Sequence, residues 1–308
     1  MSRTALLIRT HFVGDQLRAF ADRLRAEGVF DVFILADESR ETLDFGDLPK
    51  LSLRADTATA LDLYEVPQNL YWRCGDYGLY AARQLLPDYD GFWMIEPDAR
   101  LKSDRPSDML SRFPSCSEVD FLAGRLMLAE DDWDWARTMQ RDEGPVWRCL
   151  FAAVRLSAVA IDALYAARRR ASLLHRARGR GPETWPNDEA FVASTLARLG
   201  FACRDLNYFG QIYDEAGFSF WLPISEREFD SSGRDGWLYH PVLTGQPYFL
   251  KLCRLAMRLD ALDELELVVE RQIGVEWTAD EARSHRRAID FLRTQREIAT
   301  AQPPLAAE

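Results

Sequence analysis

The sequence predicts an α/β domain built on a mostly parallel sheet. Three observations predict it. Two short apolar runs flank one amphipathic helical pattern near the start, a third and wholly apolar run stands at Phe92–Ile95, and helical patterns alternate with strand patterns between and after them. A strand, a helix and another strand in so short a stretch form a βαβ unit, which joins parallel strands.

The first strand is read at Ala5–Thr10, with a turn at Val13-Gly-Asp15 behind it. Leu17, Phe20, Ala21 and Leu24 then fall at i, i+3, i+4 and i+7, a helix that Gly28 ends. Asp31–Asp37 reads as a second buried strand. Ser39–Gln68 is polar, with few periodic signals. Asp76–Leu86 reads as a helix with Tyr77, Tyr80, Ala81 and Leu85 on one side and Pro87 stopping it. Cys149–Leu156 is a further strand, followed by a helix over Ala158–Ala167. Asn187–Leu199 is a helix expected to turn Phe191, Val192, Thr195, Leu196 and Leu199 inward. After Pro247 the pattern becomes helical in two long stretches, Tyr248–Ile273 and Thr278–Ala299, the second opening on the capping box Thr278-Ala-Asp-Glu281. The expected organisation is a main domain over 1–245, a C-terminal helical extension over 246–300, and a disordered Ala/Pro-rich tail over 301–308.

Composition limits the function. A net charge of −11 over 308 residues opposes general nucleic-acid binding, which needs a basic face to displace counterions. No apolar run approaches bilayer length, and Met1–Ile8 is too short and too quickly polar for a signal peptide. Five scattered cysteines without a C-x-x-C pair fit reduced thiols, so a cytoplasmic location is expected. No dinucleotide-binding glycine pattern follows either early strand, and neither a P-loop nor a nucleophile elbow occurs.

The chemistry is expected at Ile95-Glu-Pro-Asp98. Acid pairs of this spacing recur in the chain, at Asp88/Asp90, Glu118/Asp120 and Asp132/Asp134, so spacing alone distinguishes nothing. Context does: Glu96 and Asp98 stand where a hydrophobic strand runs out, and ligands of parallel sheets bind beyond the carboxyl ends of strands. In extended chain residues i and i+2 point the same way, so both carboxylates can face one cation. Pro97, lacking an N–H, fits where ladder pairing ends. A hard cation such as Mn²⁺ or Mg²⁺ suits such oxygens. The alternative is a surface turn that happens to be acidic.

The segments Tyr71-Trp-Arg-Cys-Gly-Asp-Tyr77 and Leu86-Pro-Asp-Tyr-Asp-Gly-Phe-Trp-Met-Ile-Glu-Pro-Asp-Ala-Arg100, with the late Trp237-Leu-Tyr-His-Pro-Val242, resemble the metal-binding region of GT-A type glycosyltransferases. The resemblance spans roughly Ala5 to Val242 and is strongest at 71–104 and 237–242. The family signature is Asp-x-Asp, whereas this chain has Glu first. The resemblance implies a GT-A fold and transfer of a sugar from a nucleotide-sugar donor, such as a UDP- or GDP-sugar, to an acceptor hydroxyl on a glycan or other molecule. It implies His240 as a third ligand beside Glu96 and Asp98, and Mn²⁺ over Mg²⁺ with an imidazole present; a histidine merely packed beside Tyr239 and Pro241 is the alternative. It also implies a carboxylate opposite the donor at Trp185-Pro-Asn-Asp-Glu189, where Asp188 or Glu189 could be a general base and Trp185 a sugar-stacking face; an N-cap with first-turn acids is the plain alternative. Arg9, Thr10 and Asp37 at the first two strand ends, with Asp76 and Arg83 on the helix before the metal strand, are the expected nucleotide-binding residues. His11 could line that pocket, while His175 and His285 read as surface residues. The arginines of Arg168–Arg180 read as a solvated loop, or as a contact for a diphosphate or for an anionic acceptor at a membrane surface. A metal-dependent nucleotidyltransferase and a non-catalytic carbohydrate-binding protein of the same fold are the rival functions.

Overall fold

A computed structural model describes residues 3–67, 70–139 and 144–301. The chain divides into two compact units, residues 1–213 with 235–237, and residues 214–234 with 238–308.

The first unit holds strands β1 (Thr4–Thr10), β2 (Asp31–Glu38), β3 (Lys50–Arg54), β4 (Gly91–Ile95), β5 (Arg100–Lys102), β6 (Phe121–Leu128), β7 (Trp147–Ser157) and β8 (Cys203–Asp205). Seven of them form one sheet in the order β3-β2-β1-β4-β7-β6-β8. β1 lies parallel to β2 and β4, β2 to β3, and β6 to β8, while β7 runs antiparallel to both its neighbours. The expectation of an α/β fold with a mostly parallel sheet holds. β4 is buried along its whole length and β1 from Ala5 to Thr10, as in a sheet covered on both faces.

Its helices are α1 (Asp15–Glu27), α2 (Thr57–Ala60), α3 (Leu70–Arg73), α4 (Asp76–Leu85), α5 (Pro106–Ser111), α6 (Ala158–Ala177) and α7 (Asp188–Arg198). Gly28 closes α1 in the left-handed conformation, at φ 67°, and its N–H reaches the Arg25 carbonyl. Ser157 and Asn187 cap α6 and α7 by accepting from the amides of Ala160 and Ala190. Aromatic and aliphatic residues of α4, α6 and α7 close the core over β4, β6 and β7, among them Tyr77, Tyr80, Ile161, Leu164, Phe191 and Leu196.

In the second unit, β9 (Ile224–Ser225) pairs in parallel with β11 (Val242–Leu243), and β10 (Trp237–Tyr239) enters it from the first. α8 (Glu226–Ser231) begins with a capping box between Ser225 and Glu228. α9 (Gly245–Leu259), α10 (Leu262–Arg271) and α11 (Ala279–Ala301) enclose Tyr248, Phe249, Leu265, Val269, Trp277 and Ile289.

Several expectations need correction. The stretch Ser39–Gln68 carries β3 and α2, whose shortness left no period to read. Tyr248–Ile273 is two helices, because Asp260 adopts a left-handed conformation at φ 61° and ends α9. The Thr278–Glu281 capping box forms as expected. The helix after β7 runs to Ala177, ten residues past its expected end, so most of the arginine run is helical and not a loop. Leu199 is 56% exposed, whereas His175 and His285 are buried. The expected disordered tail lies, beyond Ala301, outside the described residues. No helix among the described residues is long and apolar enough to cross a membrane.

Candidate functional site

At the carboxyl end of the sheet, ladder pairing runs one residue past β4, as the Glu96 amide donates to the Ala152 carbonyl at 2.8 Å. Pro97 stops it. The Ala99 amide then donates back to the Glu96 carbonyl at 3.1 Å, so Glu96-Pro-Asp-Ala99 is a β-turn with proline at its favoured second position. The two carboxylates are therefore presented by a turn and not by an extended strand. Glu96 and Asp98 are both partly exposed.

One residue before the end of β1, the buried Arg9 ion-pairs with Glu96 and sends Nη1 to the Tyr71 carbonyl at 3.2 Å. The same Nη1 lies 3.7 Å from Asp188 Oδ2. Asp188 is 3% exposed at the first position of α7, and Oδ2 accepts the Gly75 amide at 2.9 Å. Gly75 is required there: a Cβ would stand 1.6 Å from Arg9 Nη1 and 2.7 Å from Asp188 Oδ2. Burial, joined by the nearby Asp76 charge, pushes the Asp188 carboxyl up to about 7, against the pull of Arg9 and of the Gly75 and Glu189 amides. Burial and then the Asp188 charge hold Glu189 well above the usual carboxylate range. Glu189 accepts from Asn187 Nδ2 at 3.0 Å. The sheet end thus gathers a surface acid, a buried cation and a buried acid that titrates near neutrality.

The other expected residues are distributed around this core. Thr10 is buried, its hydroxyl donating to the Phe12 carbonyl at 2.9 Å. Asp37 lies within β2, one residue before its end, and accepts the Ser39 amide. His11 is exposed and meets the Phe12 ring edge-on. Asp76 does not face a ligand: its carboxylate is wholly buried and taken by Arg168 and Tyr80. Arg83 stands about 10 Å further along α4 than Asp76, where it pairs with Asp162 and the Pro87 carbonyl, away from the carboxyl ends of the strands. Trp185 is 1% exposed, so it offers no sugar-stacking face; its ring packs against Tyr64 and His175. Arg169 and Arg176 pair with Asp62, and Arg168 is fully buried. Three of the run's six arginines are thus tied into the fold.

His240 belongs to the second unit. It is 7% exposed, precedes a cis bond to Pro241, and sets Nδ1 2.9 Å from the Ser219 carbonyl. A carbonyl oxygen only accepts, so Nδ1 carries the hydrogen, and in the neutral ring Nε2 carries the lone pair.

Sequence reasoning missed Gly75 and the Tyr71 carbonyl and misread Arg168. Tyr71 and Gly75 lay within a motif read only for resemblance. Arg168 had a signal of its own: Ile161, Leu164, Arg168, Ser172 and His175 follow one helical face. No protein-family model and no curated protein matches the chain.

Proposed function

We propose that the chain is a metal-dependent glycosyltransferase of the GT-A type. The observation that carries the reading is the meeting, at the carboxyl end of one mostly parallel sheet, of a partly exposed acid turn and a buried near-neutral acid. Glu96-Pro-Asp98 follows the buried β4, and Arg9 pairs with both Glu96 and Asp188. The resemblance of 71–104 and 237–242 to the GT-A metal region adds to it.

Glu96 and Asp98 would hold the cation, and the resemblance implies His240 as a further ligand. The donor chemistry of two carboxylates fits a hard cation such as Mn²⁺ or Mg²⁺, and an imidazole beside them would favour Mn²⁺. Bound there, the metal would supply positive charge against the diphosphate of a UDP- or GDP-sugar. Arg9 and Thr10 line the adjoining strand end.

Asp188 is the base. The acceptor hydroxyl oxygen bonds to the anomeric carbon, the bond from that carbon to the donor phosphate oxygen breaks, and the hydroxyl proton passes to Asp188. This displacement inverts configuration. A carboxylate titrating near neutrality is matched to that task, because it is both ionised and basic at working pH. Asp188 is preferred to Glu189 because it is the acid that pairs with Arg9, the partner of Glu96.

Titration calorimetry of UDP and GDP with Mn²⁺ or with EDTA tests the reading. The expected result is binding of one diphosphate with Mn²⁺ only, lost in E96A/D98A while the fold persists. Binding indifferent to metal and to both substitutions would overturn it.

A further inference from the structure

Arg168 is a fully buried guanidinium on α6. Such a group is costly to desolvate unless its N–H groups find partners. Nε and Nη2 form a fork with Asp76, at 2.7 Å to Oδ2 and 3.2 Å to Oδ1. Nη1 donates to the Pro186 carbonyl at 3.1 Å, and Nη2 also reaches the Asn187 carbonyl at 3.3 Å. The Phe191 ring centre lies 3.7 Å from the guanidinium carbon.

Neutralising Arg168 would need Asp76 alone. The two carbonyl contacts are additional, and they go to the two residues immediately before Asp188. Asp76, on the other side, immediately follows Gly75, whose amide holds Asp188 Oδ2. One rigid cation therefore grips both backbone segments that fix the Asp188 carboxylate. A lysine could supply the charge but not the fork that spans the start of α4 and the turn before α7.

We infer that Arg168 is a positioning residue for Asp188: through Asp76 and the Pro186 and Asn187 carbonyls it locks the Gly75 amide onto the Asp188 carboxylate. The inference rests on the proposed function only for what Asp188 then does.

The test reads the Gly75 amide by NMR, as its exchange protection and chemical shift. Removing Arg168 alone would strand Asp76 as a buried charge, so the informative variant replaces both ions by apolar groups, D76L/R168M. Protection in β1 and β4 should persist, while the Gly75 amide loses its protection and shifts. In the control F191L, which trims the packing but leaves every hydrogen bond, Gly75 should stay protected. If D76L/R168M folds with an unchanged Gly75 amide, the inference fails. Should that variant not fold, R168K decides: the charge and the fold remain, and an unchanged Gly75 amide again refutes the role. Neither readout involves sugar transfer, so an inactive wild-type chain with these Gly75 results would sink only the functional reading.

Discussion

Replacing Asp188 by asparagine should change how stability depends on pH. The Asp188 carboxyl titrates at about 7 in the folded chain, against 3.8 as its ordinary value. A raised acid pKa means that the folded state binds more protons than the unfolded state between those two values. Stability from this group is therefore complete below about 3.8, falls as pH rises, and levels off above about 7. Treating the site as a single titration, wild type should lose about 2 kcal/mol relative to D188N between about pH 5 and pH 7, with little change above about 8. Asparagine keeps an oxygen for the Gly75 amide and keeps the side-chain volume; it also removes the charge that raises Glu189, which adds to the difference in the same direction. The assay is urea unfolding in EDTA at a series of pH values, read by hydrogen exchange of β1 and β4 peptides so that the second unit does not enter. The quantity to plot is the difference between D188N and wild type. A flat difference between pH 5 and 7, or one favouring wild type as pH rises, would refute the account of Asp188 as a desolvated acid.

Gly75→Ala forces Cβ into the Arg9 guanidinium and against Asp188, so it should cost about 1–3 kcal/mol of stability, measurable by urea unfolding of the first unit. Asn187→Ala removes the cap on α7 and should cost about 1 kcal/mol in the same assay. Glu38 behaves oppositely to Asp188: burial raises its pKa, but hydrogen bonds from Lys50, Ser52 and the Leu43 amide outweigh it and hold the carboxyl at about 2. Its contribution is present above the ordinary value of 4.5 and is lost as pH falls toward about 2, so E38Q should flatten the acid limb of the stability profile.

The position of the acid turn was legible because β4 is continuously apolar and Pro97 ends its ladder; both are local features. What the turn does was not legible. The same-side argument assumed extended chain through Pro97, whereas a proline at that place favours a turn, and the turn is what forms. Trp185 was misjudged for a related reason. An aromatic beside an acid looks like a ligand platform, but its burial depends on His175 of α6 and on Tyr64, the latter far away in sequence. The arginines were misread because a run was weighed by its total charge. Placed on a helix, Arg168 falls on the buried face while Arg169 and Arg176 reach Asp62, so neighbours in sequence have different fates.

The choice between Asp188 and Glu189 shows where reading from sequence stops. Both lie in the first turn of α7, and both suit the helix dipole equally. Successive residues on a helix differ by about 100° in direction, so at most one of them can point at Arg9. Which one depends on the rotation of α7 about its axis. Phe191, Val192 and Leu196, buried against the core, restrict that rotation, and the Asn187 cap together with the two carbonyls gripped by Arg168 fixes where the helix begins. Turning α7 by one residue would bring Glu189 toward Arg9 and take Phe191 off the guanidinium of Arg168. The identity of the acid facing Arg9 therefore follows from the packing of α7, to which the carbonyl contacts of Arg168 contribute.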